Sequence, residues 1–145
     1  MVFHDNDHRK AFKIAIEKRG NYKPVDCYHA SLLYLLTATQ PTRDHLNRLY
    51  NFQAGEIIPE SIDDAFQTGN SVRVTRLAFN LFNGFVDKEQ AKEFSPYFLF
   101  ESYLLDVMLE GVRLRYSPYF DPYLRGVEIH GIDEQSEDSV PFAKN

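Results

Sequence analysis

The sequence predicts an all-α protein: one compact helical bundle of about five to seven helices, with room for a small strand or hairpin near the C-terminus. Its 145 residues are 43% hydrophobic and 26% charged, which suits one soluble domain with a core of its own. Apolar residues recur at helical spacing in several segments, and a capping residue or a proline precedes most of those segments.

The composition also excludes several classes of protein. Cys27 is the single cysteine, so neither an internal disulfide nor a paired-cysteine zinc site can form. Residues 1–10 are polar, and no apolar run approaches the ~18 residues of a membrane span. We therefore expect a cytoplasmic protein with neither a signal peptide nor a membrane partner.

The first two helices have clear ends. We predict a helix from His8 to Arg19, because an aspartate can cap it, Gly20 can end it and its apolar residues share one face. A second helix, Cys27–Ala38, follows Asp26 as its cap. Leucines surround the axis of this second helix, which is typical of a buried helix.

Shorter helices are predicted from prolines and first-turn acids over residues 41–50 and 59–69, and another is expected near residues 87–93. Residues 51–58 have no clear period, so a loop and a short strand are both open there.

Two longer helices complete the predicted bundle. One begins at Asn70 or Ser71 and ends at Asn83, where Gly84 can adopt the left-handed conformation that stops a helix. The other covers residues 96–115, with a serine cap and a first-turn proline, and its apolar residues leave one polar wedge. We expect this longest helix to lie at the centre of the fold.

The C-terminal residues are predicted to differ from the bundle. Residues 116–123 interleave aromatic residues with two prolines, and we expect them to fold back over the helices. Residues 127–130 alternate like a short strand. Residues 133–145 are acidic and polar, so we place the helical domain at residues 1–132 and an acidic flexible tail at residues 133–145.

Two segments resemble a known family. They are Asp26–Leu36, DCYHASLLYLL, and Phe66–Phe85, FQTGNSVRVTRLAFNLFNGF. The similarity spans residues 2–115 and leaves the C-terminal residues outside. The family consists of uncharacterised small proteins of Gram-positive bacteria, often encoded on phages or other mobile DNA. The resemblance implies a bacterial or phage origin, supports a mostly helical domain and supplies no catalytic residues.

The favoured binding site is a stripe of arginines and asparagines on the predicted helix that ends at Asn83. At 100° per residue its members fall within about an 80° sector. Guanidinium and amide groups offer directional hydrogen-bond donors, which could hold a phosphate or a partner's carboxylates. The alternative is structural, either a solvated face or pairing with acids such as Asp63 or Glu110. The polar stripe consists of Arg73, Arg76, Asn80 and Asn83.

An aromatic cluster after the longest helix is a second candidate surface for a partner. Tyrosine and phenylalanine are enriched at the centres of protein interfaces. Packing of the rings onto their own bundle explains them equally well. The aromatic cluster consists of Tyr116, Tyr119, Phe120 and Tyr123.

No catalytic residue, metal site or cofactor is predicted. His4 and His8 are four residues apart, but the predicted cap lies between them and spoils a shared metal site. Cys27 and His29 lie on different sides of their helix, so we expect His29 to be a hydrogen-bonded core histidine. Common nucleotide-binding and hydrolase motifs are absent from the sequence, so an enzyme is the less favoured class.

Charge is spread unevenly along the chain. Residues 1–23 contain six basic residues against three acids, whereas the remainder contains ten against eighteen. A basic first helix could bind a polyanion or pair with a second copy head to tail. The acidic remainder opposes binding to duplex nucleic acid.

The leading hypothesis is a non-catalytic intracellular binding protein of a phage or mobile genetic element. It would act by protein–protein contacts and modulate or inhibit a host system such as a defence system. The alternative is a small-ligand or phosphate-binding protein, or an enzyme, that uses the polar stripe. A nucleic-acid accessory protein that binds through its basic first helix comes third. A protein partner is expected, nucleic acid is not favoured, and a homo-oligomer stays open.

Overall fold

Residues 1–116 are the part of the chain that this computed structural model describes, and helices dominate them. The predicted mostly helical class is confirmed, with one small antiparallel hairpin. The α-helices are α1 (Asn6–Gly20), α2 (Cys27–Leu36), α3 (Gln40–Asp44), α4 (Leu46–Leu49), α5 (Gly69–Asn83), α6 (Pro96–Leu99) and α7 (Leu105–Tyr116). The hairpin consists of β1 (Tyr50–Asn51) and β2 (Glu56–Ile57), and 3-10 helices span Pro59–Asp63 and Lys88–Phe94.

Most of the hairpin lies in residues 51–58, for which a loop and a short strand were both open, but Tyr50 begins β1 and does not end a helix as predicted. Tyr50 pairs with Ile57 across the two strands. Gly55 adopts a φ of +71° in the connecting turn, a conformation that favours glycine. The strand predicted at residues 127–130 and the tail predicted at residues 133–145 lie outside the described residues.

Side chains cap the main helices. Asp5 and Asp26 each accept a hydrogen bond from the backbone N–H three residues further on, at 2.8 and 3.0 Å, and so begin α1 and α2. Thr68 caps α5 through a reciprocal pair of hydrogen bonds with Ser71, slightly earlier than predicted. Gly84 ends α5 at a φ of +78°, as the sequence predicts.

The centre of the fold is α2. Residues 30–36 are all buried, α5 and α7 make the most extensive contacts with this helix, and α1 packs against it as well. The Ser31 hydroxyl donates a hydrogen bond of 2.7 Å to the carbonyl of Gly111 in α7. A side chain at Gly111 would begin 2.7 Å from the Leu35 side chain, so the missing side chain allows this close approach.

The helix predicted over residues 96–115 is in fact two helices, and the central position belongs to α2. α6 ends at Leu99, well before α7 begins. Ser102 explains the break, because its hydroxyl accepts a hydrogen bond from the Leu104 N–H at 3.1 Å and donates one to Asn70 of α5 at 2.9 Å. Such bonds from a serine compete with continued helix, and a count of apolar positions does not reveal them.

Replacing Gly111 should reveal how closely α2 and α7 pack. We expect Gly111→Ala to lower the free energy of unfolding by about 1–3 kcal/mol, because the new methyl group overlaps Leu35. Gly20→Ala is the matched control: no atom lies within 4 Å of its added carbon, so a change within about 0.5 kcal/mol is expected. Urea unfolding measures both. Equal effects of the two substitutions would contradict the close approach.

Candidate functional site

α1 has a buried face and an exposed face with a mixed character. His8, Phe12 and Ile16 point into the core. Ile14 lies on the opposite face and is 64% exposed. At 100° per residue, the members of this exposed face fall within about a 100° sector. They are Asp7, Lys10, Ala11, Ile14 and Lys18.

A groove runs between this face of α1 and the α3–α4 edge of the bundle; we call it the α1–α3 groove. One section of about 360 Å³ has an apolar lining that includes Ile14, Leu46 and Phe52. A second section, of about 450 Å³, continues towards the start of α1. Ile14 and Arg43 line both sections, so the two form one surface.

Basic side chains dominate the groove's charges. Lys10, Lys18, Arg43 and Arg48 line it, together with the acids Asp7 and Asp44. The Lys18 ammonium lies 4.2 Å from the Phe52 ring centroid and donates to the Asn47 side chain at 3.3 Å. These contacts place the cation beside the apolar lining.

The arginines of the groove come from the short helices. Arg43 donates to the carbonyl of Thr37 at 3.0 Å. Arg48 pairs with Asp64 at 3.1 Å, with 69% of its own side chain exposed. A guanidinium has five N–H donors, so each arginine retains capacity for a carboxylate ligand.

Two buried contacts fix α1 in place below the groove. The Nδ1 of His8 accepts a hydrogen bond from the His4 N–H at 3.0 Å, so its Nε2 donates to the carbonyl of Tyr34 at 2.7 Å. Arg19 is buried at the other end of α1 and donates to the carbonyls of Phe52 and Gln53 at 2.8 and 3.2 Å. The outer face of α1 is thereby left to solvent.

The polar stripe lies on one side of α5, as predicted, and its members contact the chain that returns after Gly84. Arg76 pairs with Glu93 at 2.9 Å and donates to Gln90 at 3.1 Å, with only 11% of its side chain exposed. The other three contact backbone atoms of the same returning chain: Arg73 with Phe98, and Asn80 and Asn83 with Phe85. These contacts favour the structural interpretation of the stripe, with Glu93 as the acid.

The aromatic cluster is described only at its first member. Tyr116 ends α7 with 60% of its surface exposed. The Arg115 guanidinium lies between aromatic rings, 3.7 Å from the Tyr28 centroid and 4.5 Å from that of Tyr116. Tyr119, Phe120 and Tyr123 lie outside the described residues. The cluster therefore stays a prediction.

The histidines near the candidate metal and nucleophile positions have structural contacts. Both ring nitrogens of His8 are engaged, so it has no free position for a metal. His29 forms a 2.8 Å hydrogen bond with the Tyr50 hydroxyl and packs edge-on against Phe82, so it is hydrogen-bonded as predicted, but it is half-buried at the edge of the core. Burial lowers the pKa of His29 and raises that of Tyr50 to about 12. Among residues 1–116, no group of three or more potential ligands could hold a metal ion.

Sequence reasoning missed the α1–α3 groove. Its signal was Ile14, an apolar residue between Lys10 and Lys18 on the polar side of the first helix. The opposite wall could not be inferred, because nothing in the spacing of Arg43 and Arg48 indicates that their short helices pack beside α1.

The buried His8 should make stability depend on pH. Burial lowers the pKa of this histidine from 6.5 to about 3, so the unfolded chain takes up a proton in a window where the folded chain does not. The free energy of unfolding should therefore fall as the pH drops below 6.5, by about 1.4 kcal/mol per pH unit from this group. The His8→Gln variant should lack this contribution to the pH dependence of the free energy of unfolding. Urea unfolding at several pH values compares the two slopes; identical slopes would contradict the assignment.

Arg76 and Arg73 provide a matched test of the polar stripe. Arg76→Ala should lower the free energy of unfolding by about 1–3 kcal/mol, because it removes two partly buried contacts with the 3-10 helix Lys88–Phe94. Arg73→Ala removes solvent-exposed bonds to carbonyls, so we expect a loss of about 0.5 kcal/mol or less. Chemical denaturation measures both. If the two variants lose the same free energy of unfolding, the assignment of a structural role to Arg76 is wrong.

Comparison with known proteins supplies a family and no activity. No curated protein and no solved structure matches the chain significantly. Within the described residues, no helix combines the length and the apolar character needed to cross a membrane. The model of a family of unknown function, DUF6075, matches residues 1–125, which include the α1–α3 groove and the polar stripe. The chain therefore belongs to the DUF6075 family.

Proposed function

We propose that this protein is a non-catalytic binding protein that takes an acidic, partly apolar segment of a partner protein in the α1–α3 groove. The observation that supports this most directly is Ile14, which is 64% exposed and lines both sections of the groove. A scattered apolar side chain on a surface is ordinary. Here it lies among basic side chains in a concave surface, which suits a ligand with both acidic and apolar groups.

The dimensions of the groove suit a peptide segment. From Asp7 to Lys18 the exposed face of α1 extends over about 16 Å at 1.5 Å per residue. That length accommodates about three turns of a partner helix or five residues of an extended strand. Covering the exposed 64% of Ile14 contributes about 1–2 kcal/mol, and the surrounding cations select for acidic partners and speed their association.

The biological setting forms part of the proposal. The resemblance supports a gene of a Gram-positive bacterium, on a phage or another mobile element, with its product in the cytoplasm. In that setting the partner is a protein of the host, and binding modulates or inhibits a host system, including a defence system. The absence of common catalytic motifs from the sequence supports a binding role over an enzymatic one.

The other two hypotheses have less support. A ligand site on the polar stripe would have to displace contacts that Arg76 and Asn80 make with the returning chain. Nucleic-acid binding through α1 would lose two of its cations, because Arg9 and Arg19 are buried. Phosphate binding depends on the number of accessible cations, so this loss weakens that hypothesis.

A photo-crosslinking amino acid at position 14 tests the groove directly. We expect it to couple to a specific protein in cells of the native host, whereas the same group at position 97, where Tyr97 is 80% exposed on α6, should not couple to that protein. Ile14→Asp should reduce recovery of the partner by tenfold or more, and the matched Tyr97→Asp should leave it unchanged; tenfold corresponds to about 1.4 kcal/mol. Mass spectrometry identifies the coupled protein.

Two outcomes would contradict the groove as a binding site. One is equal coupling to the same proteins from positions 14 and 97. The other is unchanged recovery of the partner by Ile14→Asp, after circular dichroism has shown that the variant is folded. Either outcome would place binding elsewhere on the protein.

A further inference from the structure

We propose that residues 127–138 of this same chain occupy the α1–α3 groove and compete there with the partner, so that the protein regulates its own binding. This inference rests on the proposed function, because it takes the groove as a site for an acidic, partly apolar segment. It adds a specific occupant and a means of control.

The chemistry of this C-terminal segment matches that of the groove. After Tyr116 the chain contains six acids against two basic residues, and residues 126–143 contain five acids and no lysine or arginine. Apolar residues are interleaved with these acids. The sequence of residues 127–138 is VEIHGIDEQSED. Its valine and isoleucines suit the lining around Ile14, and its carboxylates suit Lys18, Arg43 and Arg48.

The segment can reach the groove from the end of α7. Arg115 contacts Tyr28 at the start of α2, and only a short connection links that point to the end of α1. Residues 117–126 can span up to about 33–36 Å when extended. A domain of this size has a radius of gyration of about 13 Å, which for a uniform sphere corresponds to a diameter of about 34 Å, so that span is about one diameter. Residues 117–126 are therefore long enough for the segment to contact the α1–α3 groove.

A tethered segment needs little intrinsic affinity to compete. A short tether holds a segment near its site at an effective concentration in the mM range. A segment with a dissociation constant of about 1 mM would then occupy its site about half of the time. Exposed ion pairs of modest strength are sufficient for such binding, and added salt would weaken it.

The acidic segment lies beyond the part of the chain that defines the family. The family match ends at residue 125, whereas the acids of the segment begin at Glu128. The groove belongs to the matched part. The proposal thus combines a surface from the family domain with an occupant from outside the match.

The test uses a labelled synthetic peptide of residues 126–140 and the full-length protein. In one variant the five acids of the chain's own segment are neutralised by Glu128→Gln, Asp133→Asn, Glu134→Gln, Glu137→Gln and Asp138→Asn. We expect this neutralised variant to bind the peptide about twofold more tightly than the wild type, because in the wild type the chain's own segment occupies the groove about half of the time. Adding Ile14→Asp to the neutralised variant should abolish binding, whereas adding Tyr97→Asp should not. Fluorescence anisotropy at low salt measures the affinities.

Several results would overturn the proposal. They are equal affinities of the wild type and the neutralised variant, no binding to the neutralised variant, and binding that Ile14→Asp does not change. A wild-type dimer that dissociates on neutralisation would show instead that the segment binds a second copy. If the peptide fails while position 14 still couples to a partner, only this inference falls. If neither position 14 nor the peptide gives a specific result, the proposed function falls with it.

Discussion

The burial of residues 30–36 of α2 on all sides is the constraint on which the other helices depend. A helix that exposes no face requires neighbours around its whole circumference, and α5, α7 and α1 supply them. Gly111 allows α7 to approach without a clash, and the Ser31 hydroxyl bonds to the carbonyl that this approach presents. α1 belongs to this arrangement through its buried face, so its outer face remains exposed for other contacts.

The fold shows where sequence patterns are sufficient. The leucines after Asp26 predict a buried helix because a helix with no polar face must be enclosed, and residues 30–36 of α2 are enclosed. Asp26 and Gly84 mark helix ends through local bonds and backbone conformation, which need no tertiary information. The break before α7 could not be predicted in the same way, because Ser102 bonds to Asn70, which is distant in sequence.

The polar stripe shows the corresponding limit for a candidate site. Periodicity places Arg73, Arg76 and their two asparagines on one side of α5, and the structure agrees. The spacing of these residues in the sequence does not indicate which part of the chain packs against that side of α5. Glu93 and carbonyls of the returning chain accept hydrogen bonds from Arg73, Arg76 and Asn80, and their positions follow from how the chain turns after Gly84. Arginines aligned on a helix therefore predict a partner for their charge without indicating whether it is internal.

The contacts that hold the buried face of α1 explain why the α1–α3 groove lies on its other face. The polar groups that hold α1, His8 and Arg19, bond to carbonyls of α2 and of the hairpin region. Core packing therefore does not require Ile14, which lies on the opposite side of the helix. An isoleucine there loses hydrophobic stabilisation unless a second surface covers it. Its position among lysines and arginines suits the acidic segment that we propose as its partner, and the chain's own sequence after Gly126 has that composition.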